Sequence, residues 1–345
     1  MVDCQSKIPK ITVLMPIYNC ELYIKEAIDS ILNQTFMDFE FIIIDDASTD
    51  NTVFIVKRYN DSRIKLIEKE KNSGYTNSLN YGLSIARGEY IARMDGDDIS
   101  LPERFIKQVH ILDKNPNLVL CGTLFSIIGT GKVISLPERH DEIKIALLKY
   151  CCFGHPTVMM RKSILDEFSL IYDYNKEPAE DYDLWTRLLS LGQLHNLQEV
   201  LLNYRVHNSQ VSHKRKQQQI EIAVNVKLNL LKRLDYETNQ QEQDLLCRII
   251  INKEFINFEE IRQYQIIKSK LINANIKVFF EEKGFMKYLF DIENRILKNY
   301  FLRSPKYSPK VYFEYLSIKK GGQFKFQTFK EIKLFLKSII FYTKR

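Results

Sequence analysis

The chain has little that would support disulfide, redox or membrane-spanning chemistry. Its six cysteines, Cys4, Cys20, Cys121, Cys151, Cys152 and Cys247, include no pair with zinc-knuckle or CxxC spacing, and adjacency strains any bridge between Cys151 and Cys152. All six are read as reduced thiols in a cytoplasmic protein. Residues Met1 to Lys10 have no apolar core, so no signal peptide is expected. The longest nearly apolar stretch, Leu118 to Ile128, falls short of the roughly 20 residues that span a bilayer. The expectation is a soluble protein, or one peripheral on the inner face of the cytoplasmic membrane. No glycine- and lysine-rich phosphate loop opens the chain, which argues against a nucleotidyltransferase. No nucleic-acid recognition motif accompanies its positive charge, so no nucleic-acid partner is expected.

What is present is ordinary for a globular enzyme. The 345 residues are 45% hydrophobic and 27% charged. That suits one catalytic domain of about 200–250 residues with a smaller appended part. The net charge of +7 suits an anionic substrate such as a nucleotide sugar, or an anionic membrane surface.

The first third alternates two periods. Ile11 to Met15, Phe39 to Ile44, Arg63 to Glu68 and Glu89 to Met94 read as strands, and the lack of alternation in the second suits a strand covered on both faces. Between them, helices are expected over Leu22 to Leu32, from a cap at Ser48-Thr49-Asp50 to about Tyr59, and over Ser73 to Ala86, closed by Gly88. This order predicts an α/β fold with a parallel sheet and helices on both faces. Such sheets bind ligands at the carboxyl ends of their strands. Polar residues sit at those ends: Tyr18 and Asn19, Asp45 and Asp46, Asn72 and Gly74, then Asp95, Asp97 and Asp98.

Asp95-Gly96-Asp97-Asp98 follows a buried strand. Three carboxylates in four residues repel one another unless a cation neutralises them. Mg²⁺ and Mn²⁺ are hard ions held by one or two carboxylates plus substrate phosphates. Such an ion would stabilise the charge on a departing diphosphate. The bland reading is a solvated acidic turn, and the position after an apolar strand weighs against it. Asp46 can accept hydrogen bonds from a base or ribose, while Asp45 caps locally. Glu180-Asp181 opens a helix with Asp183, Trp185 and Arg187. A general base for an attacking hydroxyl is one reading, and acids at a helix N-terminus the simpler one on spacing alone. His155 is read as structural. His207, after Tyr204-Arg205, is within reach of a metal or diphosphate in sequence terms.

Seven blocks then coincide with a known family. Val13 to Asn19, Ile44 to Asp50, Asn72-Ser73-Gly74, Gly88 to Asp98, His155 to Arg161, Glu180 to Trp185 and Tyr204 to His207 resemble, in order, the family 2 glycosyltransferases of GT-A fold. The resemblance covers roughly residues 10 to 213. It implies a Rossmann-like, mainly parallel sheet with a UDP-sugar donor and Mn²⁺ or Mg²⁺. It implies Asp181 as catalytic base, Pro16 and Tyr18 bordering the uracil and Asp46 hydrogen-bonding it. It also implies Asp95 on the ribose or diphosphate side, with Asn72 and Gly74 on the donor side. Asp97 is implied as metal ligand, with His207 assisting and Asp98 supporting. The family inverts anomeric configuration. The wording is similar to bacterial lipooligosaccharide and capsule transferases, which implies a glycan or lipid-linked glycan acceptor. Gly154-His155-Pro156-Thr157 departs from those relatives near the acceptor side. The alternative is a catalytically silent nucleotide-sugar binder, against which the intact set Asp46, Asp95, Asp97 and Asp181 argues.

The expected organisation is a catalytic domain over 1–213, with a donor half of about 10–115 and an acceptor half of about 116–213. A mostly helical region over 214–345 follows, with the boundary near Ser212-His213. At its end, Phe329, Ile332, Phe335, Leu336, Ile339 and Ile340 share one helical face beside Lys330, Lys333, Lys337, Lys344 and Arg345. Two readings stand: a basic amphipathic helix on an anionic membrane, or a terminal helix packed on its own domain.

Overall fold

The computed structural model describes residues 8–207, 210, 214–252, 254–322 and 324–343. Cys4, the expected boundary at Ser212-His213, and Lys344 and Arg345 lie outside the described residues. The chain divides into two compact units, Met1–Val226 and Lys227–Arg345.

The first unit is built on a sheet of nine strands among the described residues. β1 (Ile11–Ile17), β2 (Phe39–Asp45), β3 (Ile64–Glu68) and β4 (Tyr90–Arg93) run parallel in the order β3-β2-β1-β4. Every residue of β1, β2 and β4 is buried, the property their unbroken apolar runs indicate. Helix Ile24–Leu32 returns from β1 to β2, burying Ile24, Ala27, Ile28 and Ile31 along one stripe. The helix after β2 is shorter than its cap signal predicts, Thr52–Val56. Asn51 stands at its N-cap position without a side-chain cap bond, and Asp50 Oδ1 accepts the first helical amide, that of Thr52, at 2.9 Å. Helix Tyr75–Ile85 joins β3 to β4. Gly88 does not close that helix as expected. A Cβ there would lie 2.2 Å from the Thr12 amide nitrogen, so the residue is needed for close backbone approach.

Pro16 lies inside β1 rather than ending it. The Leu14 carbonyl accepts from Met94, and residues two apart on a strand point to the same neighbour. The N–H that Pro16 lacks would therefore face β4 where that strand has ended, and no ladder bond is lost.

Beyond β4 the sheet is mixed, not parallel. β5 (Ile99–Ser100), β6 (Leu118–Ile127), β7 (Val133–Ile134), β8 (Met159–Arg161) and β9 (Gln193–Tyr204) continue it as β4-β8-β6-β9-β5, with β7 on β6. The β4–β8, β6–β8 and β5–β9 pairs are antiparallel, and β6–β9 is parallel. The first half of β9 alternates in burial and reads poorly as a buried run.

The second unit is helical: Gln240–Ile251, Phe258–Ala274, Glu282–Arg303, Pro309–Lys320 and Thr328–Ile339. Asn239 with Glu242 and Asn257 with Glu260 form capping boxes that set two of the helix starts. Ile261, Tyr264, Ile267 and Leu271 supply one buried helical stripe, and Leu289, Ile292 and Ile296 another. A buried ion pair, Lys268 with Glu293, sits among them. The last helix packs little by its apolar face, where Phe335 meets the Tyr312 ring edge-on with centroids 5.0 Å apart. Leu334 and Ser338 are buried, and Phe329, Ile332, Phe335, Leu336, Ile339 and Ile340 are exposed. Among the described residues no helix is long and apolar enough to cross a membrane.

Candidate active site

The turn that leaves β4 gathers the acids. Carboxylate oxygens of Asp95, Asp97 and Asp98 lie within 4.8 Å of one another. Burial, then repulsion from Asp95 and Asp97, pushes the Asp98 carboxyl well above the usual carboxylate range. One of its oxygens accepts the Arg205 amide at 2.8 Å. The other, Oδ2, is buried with no hydrogen-bond partner. A compact set of hard oxygens with an unsatisfied member fits Mg²⁺ or Mn²⁺.

The end of β9 clips this turn in place. Arg205 Nε donates to the Asp97 carbonyl at 2.8 Å, and its Nη2 reaches Glu26 at 2.8 Å. His207 Nε2 stands 2.8 Å from Asp97 Oδ2. The His207 ring also packs on Tyr23, centroids 5.2 Å apart. Residues from both ends of the unit thus converge on Asp97.

On the β2 side, Asp46 is buried and holds a loop. Lys69 Nζ and the Ser73 amide donate to its Oδ1 at 2.7 and 3.0 Å, and the Gly74 amide donates to Oδ2 at 2.8 Å. Burial would raise its carboxyl, but these donors together hold it below the usual range. Gly74 adopts a φ of 91°, which a side chain would strain, and which lets both amides turn toward Asp46. Asn72 is exposed, and its Oδ1 accepts the Gly74 amide at 3.2 Å. Asp45 accepts the Ser48 amide at 3.0 Å, the local cap expected of it. Tyr18 is exposed at the rim. Its neighbour Asn19 is pinned there by Ser48 Oγ at 2.9 Å and by the Thr49 amide at 2.8 Å.

Glu180 and Asp181 begin helix Glu180–Leu188. Asp181 Oδ1 accepts the Tyr182 amide at 2.7 Å, and Cys151 Sγ lies 3.7 Å from Oδ2. Burial raises the Asp181 carboxyl, and the positive charge of Arg93 opposes the rise. Glu180 accepts from the Tyr75 hydroxyl at 2.8 Å. Burial and the neighbouring Asp181 push its carboxyl up to about 8. His155 is half-buried and meets Trp185 edge-on, with Nε2 3.0 Å from the Tyr172 hydroxyl. Burial, then Arg93, depresses its pKa far below 6.5, so it is a neutral packing group.

Sequence reasoning missed Arg93. This side chain is buried, contacts the Asp95 carboxylate, and acts electrostatically on Asp181 and His155 as well. Its signal was a lone cation in an otherwise apolar strand, two residues before Asp95 and so on the same face. Arg205, Tyr75 and Glu177 were also missed. Glu177 accepts from the Thr76 hydroxyl at 2.7 Å and pairs with Arg215. Only long-range folding brings these groups together, and no local spacing marks them.

Residues 12–168 match the family model described as glycosyl transferase family 2. An uncharacterized glycosyltransferase of Haemophilus influenzae is 37% identical over 64% of this chain and 72% of that protein. An O-antigen biosynthesis glycosyltransferase of Escherichia coli, WbnJ, is 37% identical over 57% of this chain and 80% of its own. Another from Escherichia coli, the UDP-Glc:α-D-GlcNAc-diphosphoundecaprenol β-1,3-glucosyltransferase WfgD, is 32% identical over 59% and 79%. Among solved structures, S. aureus TarS 1-349 with UDP-GlcNAc superposes with TM-score 0.58 at 21% identity, covering 86% of this chain and 93% of that one. This chain spans 55% of a longer TarS structure. A Pyrobaculum calidifontis mannosyltransferase with GDP-Man and Mn²⁺ gives 0.52 at 17% identity, covering 85% and 88%. The fold is therefore of the GT-A type, a mixed α/β sheet followed by helices.

Proposed function

The chain belongs to glycosyl transferase family 2, a family that includes enzymes of bacterial polysaccharide synthesis, and on that premise we propose that it is an inverting hexosyl- or N-acetylhexosaminyltransferase. The donor is a UDP-sugar, and the acceptor a glycan or lipid-linked glycan of a bacterial surface polysaccharide or lipooligosaccharide. One observation carries the reading: the Asp95-Asp97-Asp98 cluster and Asp181 are tied through a single buried cation, Arg93, that acts on both. A metal-binding corner and a base are what transfer from a nucleotide sugar needs.

Asp97, with His207 beside it, holds Mg²⁺ or Mn²⁺, and Asp98 supports that corner. When bound, the ion supplies Lewis-acid stabilisation of the leaving diphosphate. Pro16 and Tyr18 border the base, and Asp46 with the Asn72–Gly74 loop forms its polar edge. Asp95, anchored by Arg93, faces the ribose or diphosphate. Asp181 accepts the proton of the acceptor hydroxyl, which attacks the anomeric carbon opposite the leaving group and inverts it. Its raised pKa makes it a stronger base than a solvated carboxylate. The catalytic part is assigned to residues 1–213 and the helical remainder to 214–345.

The test is a thermal-shift screen of UDP-, GDP- and dTDP-sugars with Mn²⁺. A UDP-sugar alone among them should raise Tm, by about 2.7 kcal/mol of stability at a hundredfold excess over Kd. A larger shift with GDP- or dTDP-sugars would overturn the uridine assignment.

A further inference from the structure

The last helix, Thr328–Ile339, faces the wrong way for a helix packed in its own core. At 3.6 residues per turn, Phe329, Ile332, Phe335, Leu336, Ile339 and Ile340 cover an arc of about 140°. That arc is outward: Phe329 is 77% exposed, Ile332 51%, Leu336 50% and Ile340 65%. The opposite face holds the helix to its unit. Leu334 and Ser338 are buried there, Glu331 pairs with Lys319 at 2.6 Å and accepts from Tyr315 at 3.1 Å, and Lys337 lies 4.6 Å over the Tyr307 ring. Phe341, just beyond the helix, is also exposed.

Charge shows what meets this face. Residues 304–345 contain ten Lys and Arg against two Glu, a net +8, in a chain whose total is +7. The other 303 residues therefore sum to −1, and the whole positive excess lies in this terminal segment. Lys333 and Lys330 follow one edge of the apolar arc, while Glu331, the helix's one acid, is turned inward to Lys319. A second copy of the same face would bring lysines against lysines. An anionic bilayer attracts them and accepts the apolar side chains beneath. At 12 residues the helix is about 18 Å long, too short to span and suited to lie in the interface plane.

From this we infer that helix Thr328–Ile339 docks the protein on an anionic phospholipid bilayer, with Phe329, Ile332, Leu336 and Ile340 inserted and Lys330 and Lys333 on the headgroups. The inference stands independently of the donor and acceptor assignment.

The test is co-sedimentation of the full chain with vesicles of phosphatidylcholine alone, or mixed with phosphatidylglycerol. Binding is expected only to the mixed vesicles. Ile332→Asp with Leu336→Asp should abolish it, and Lys330→Gln with Lys333→Gln should weaken it about tenfold or more. Both pairs are exposed, so Tm should not change, which separates lost docking from lost folding. Equal binding to both vesicle types, no binding to either, or full binding by the Ile332/Leu336 pair would overturn the inference. So would a dimer in light scattering that the Ile332/Leu336 pair dissociates, without vesicle binding by the parent chain.

Discussion

His207 Nε2 and Asp97 Oδ2 meet at 2.8 Å across 110 residues of sequence. The contact joins the turn after β4 to the segment after β9 and brings both to the acidic corner proposed to hold the metal. Asp97→Ala is expected to eliminate the Tm rise that Mn²⁺ gives with a UDP-sugar. His207→Gln should reduce that rise without removing it. An unchanged rise in the Asp97 variant would move the metal elsewhere.

Arg93 should set the pH at which Asp181 works. Asp181 must be unprotonated to act as base, so activity falls as pH drops through its raised pKa. Arg93 opposes the rise, so its removal raises that pKa further. Arg93→Met should shift the acid limb of the kcat profile to higher pH. Arg93→Lys should keep the limb nearer to the parent, and a merely structural role would lower kcat without moving it.

Glu180 has the opposite consequence for stability. Its folded pKa, about 8, exceeds the roughly 4.3 of an unfolded Glu, so the folded state binds the extra proton between those values. Stability from this group is present below that window and is lost as pH rises through it. Glu180→Gln keeps an acceptor for the Tyr75 hydroxyl. It should raise Tm by at least about 2 °C at pH 8.5 and change it little at pH 5.

Asp46 holds the 69–74 loop through Lys69 and two amides. Asp46→Ala leaves those donors unsatisfied and should cost about 1–3 kcal/mol near pH 7. Its carboxyl is depressed, so its contribution is present above the unfolded value near 3.9 and fades as pH falls below it. The Tm difference from the parent should therefore shrink in acid. UDP affinity should fall with it if the loop forms the edge of the base site.

The first half of the fold was legible because β1, β2 and β4 are buried on both faces and read as nearly unbroken apolar runs. The strand-end rule then put Asp46, Asp95, Asp97 and Asp98 on one rim before any contact was known. The second half was less legible. β5 and β8 are two and three residues long, too short for a period, and the antiparallel pairs they make leave no local mark. Glu177 and Arg205 act through partners far off in sequence, which spacing cannot reveal. The direction of the last helix was also open, because a helical period shows that a face is apolar and not what covers it.

Asp181→Asn tests whether Asp181 is the base of the sugar transfer. Donor affinity with Mn²⁺ should be measured by calorimetry and transfer by single-turnover kinetics on the same preparation. Near-parental affinity and transfer slowed by about 10²–10⁴-fold are expected. Transfer at the parental rate with intact donor binding would contradict that role.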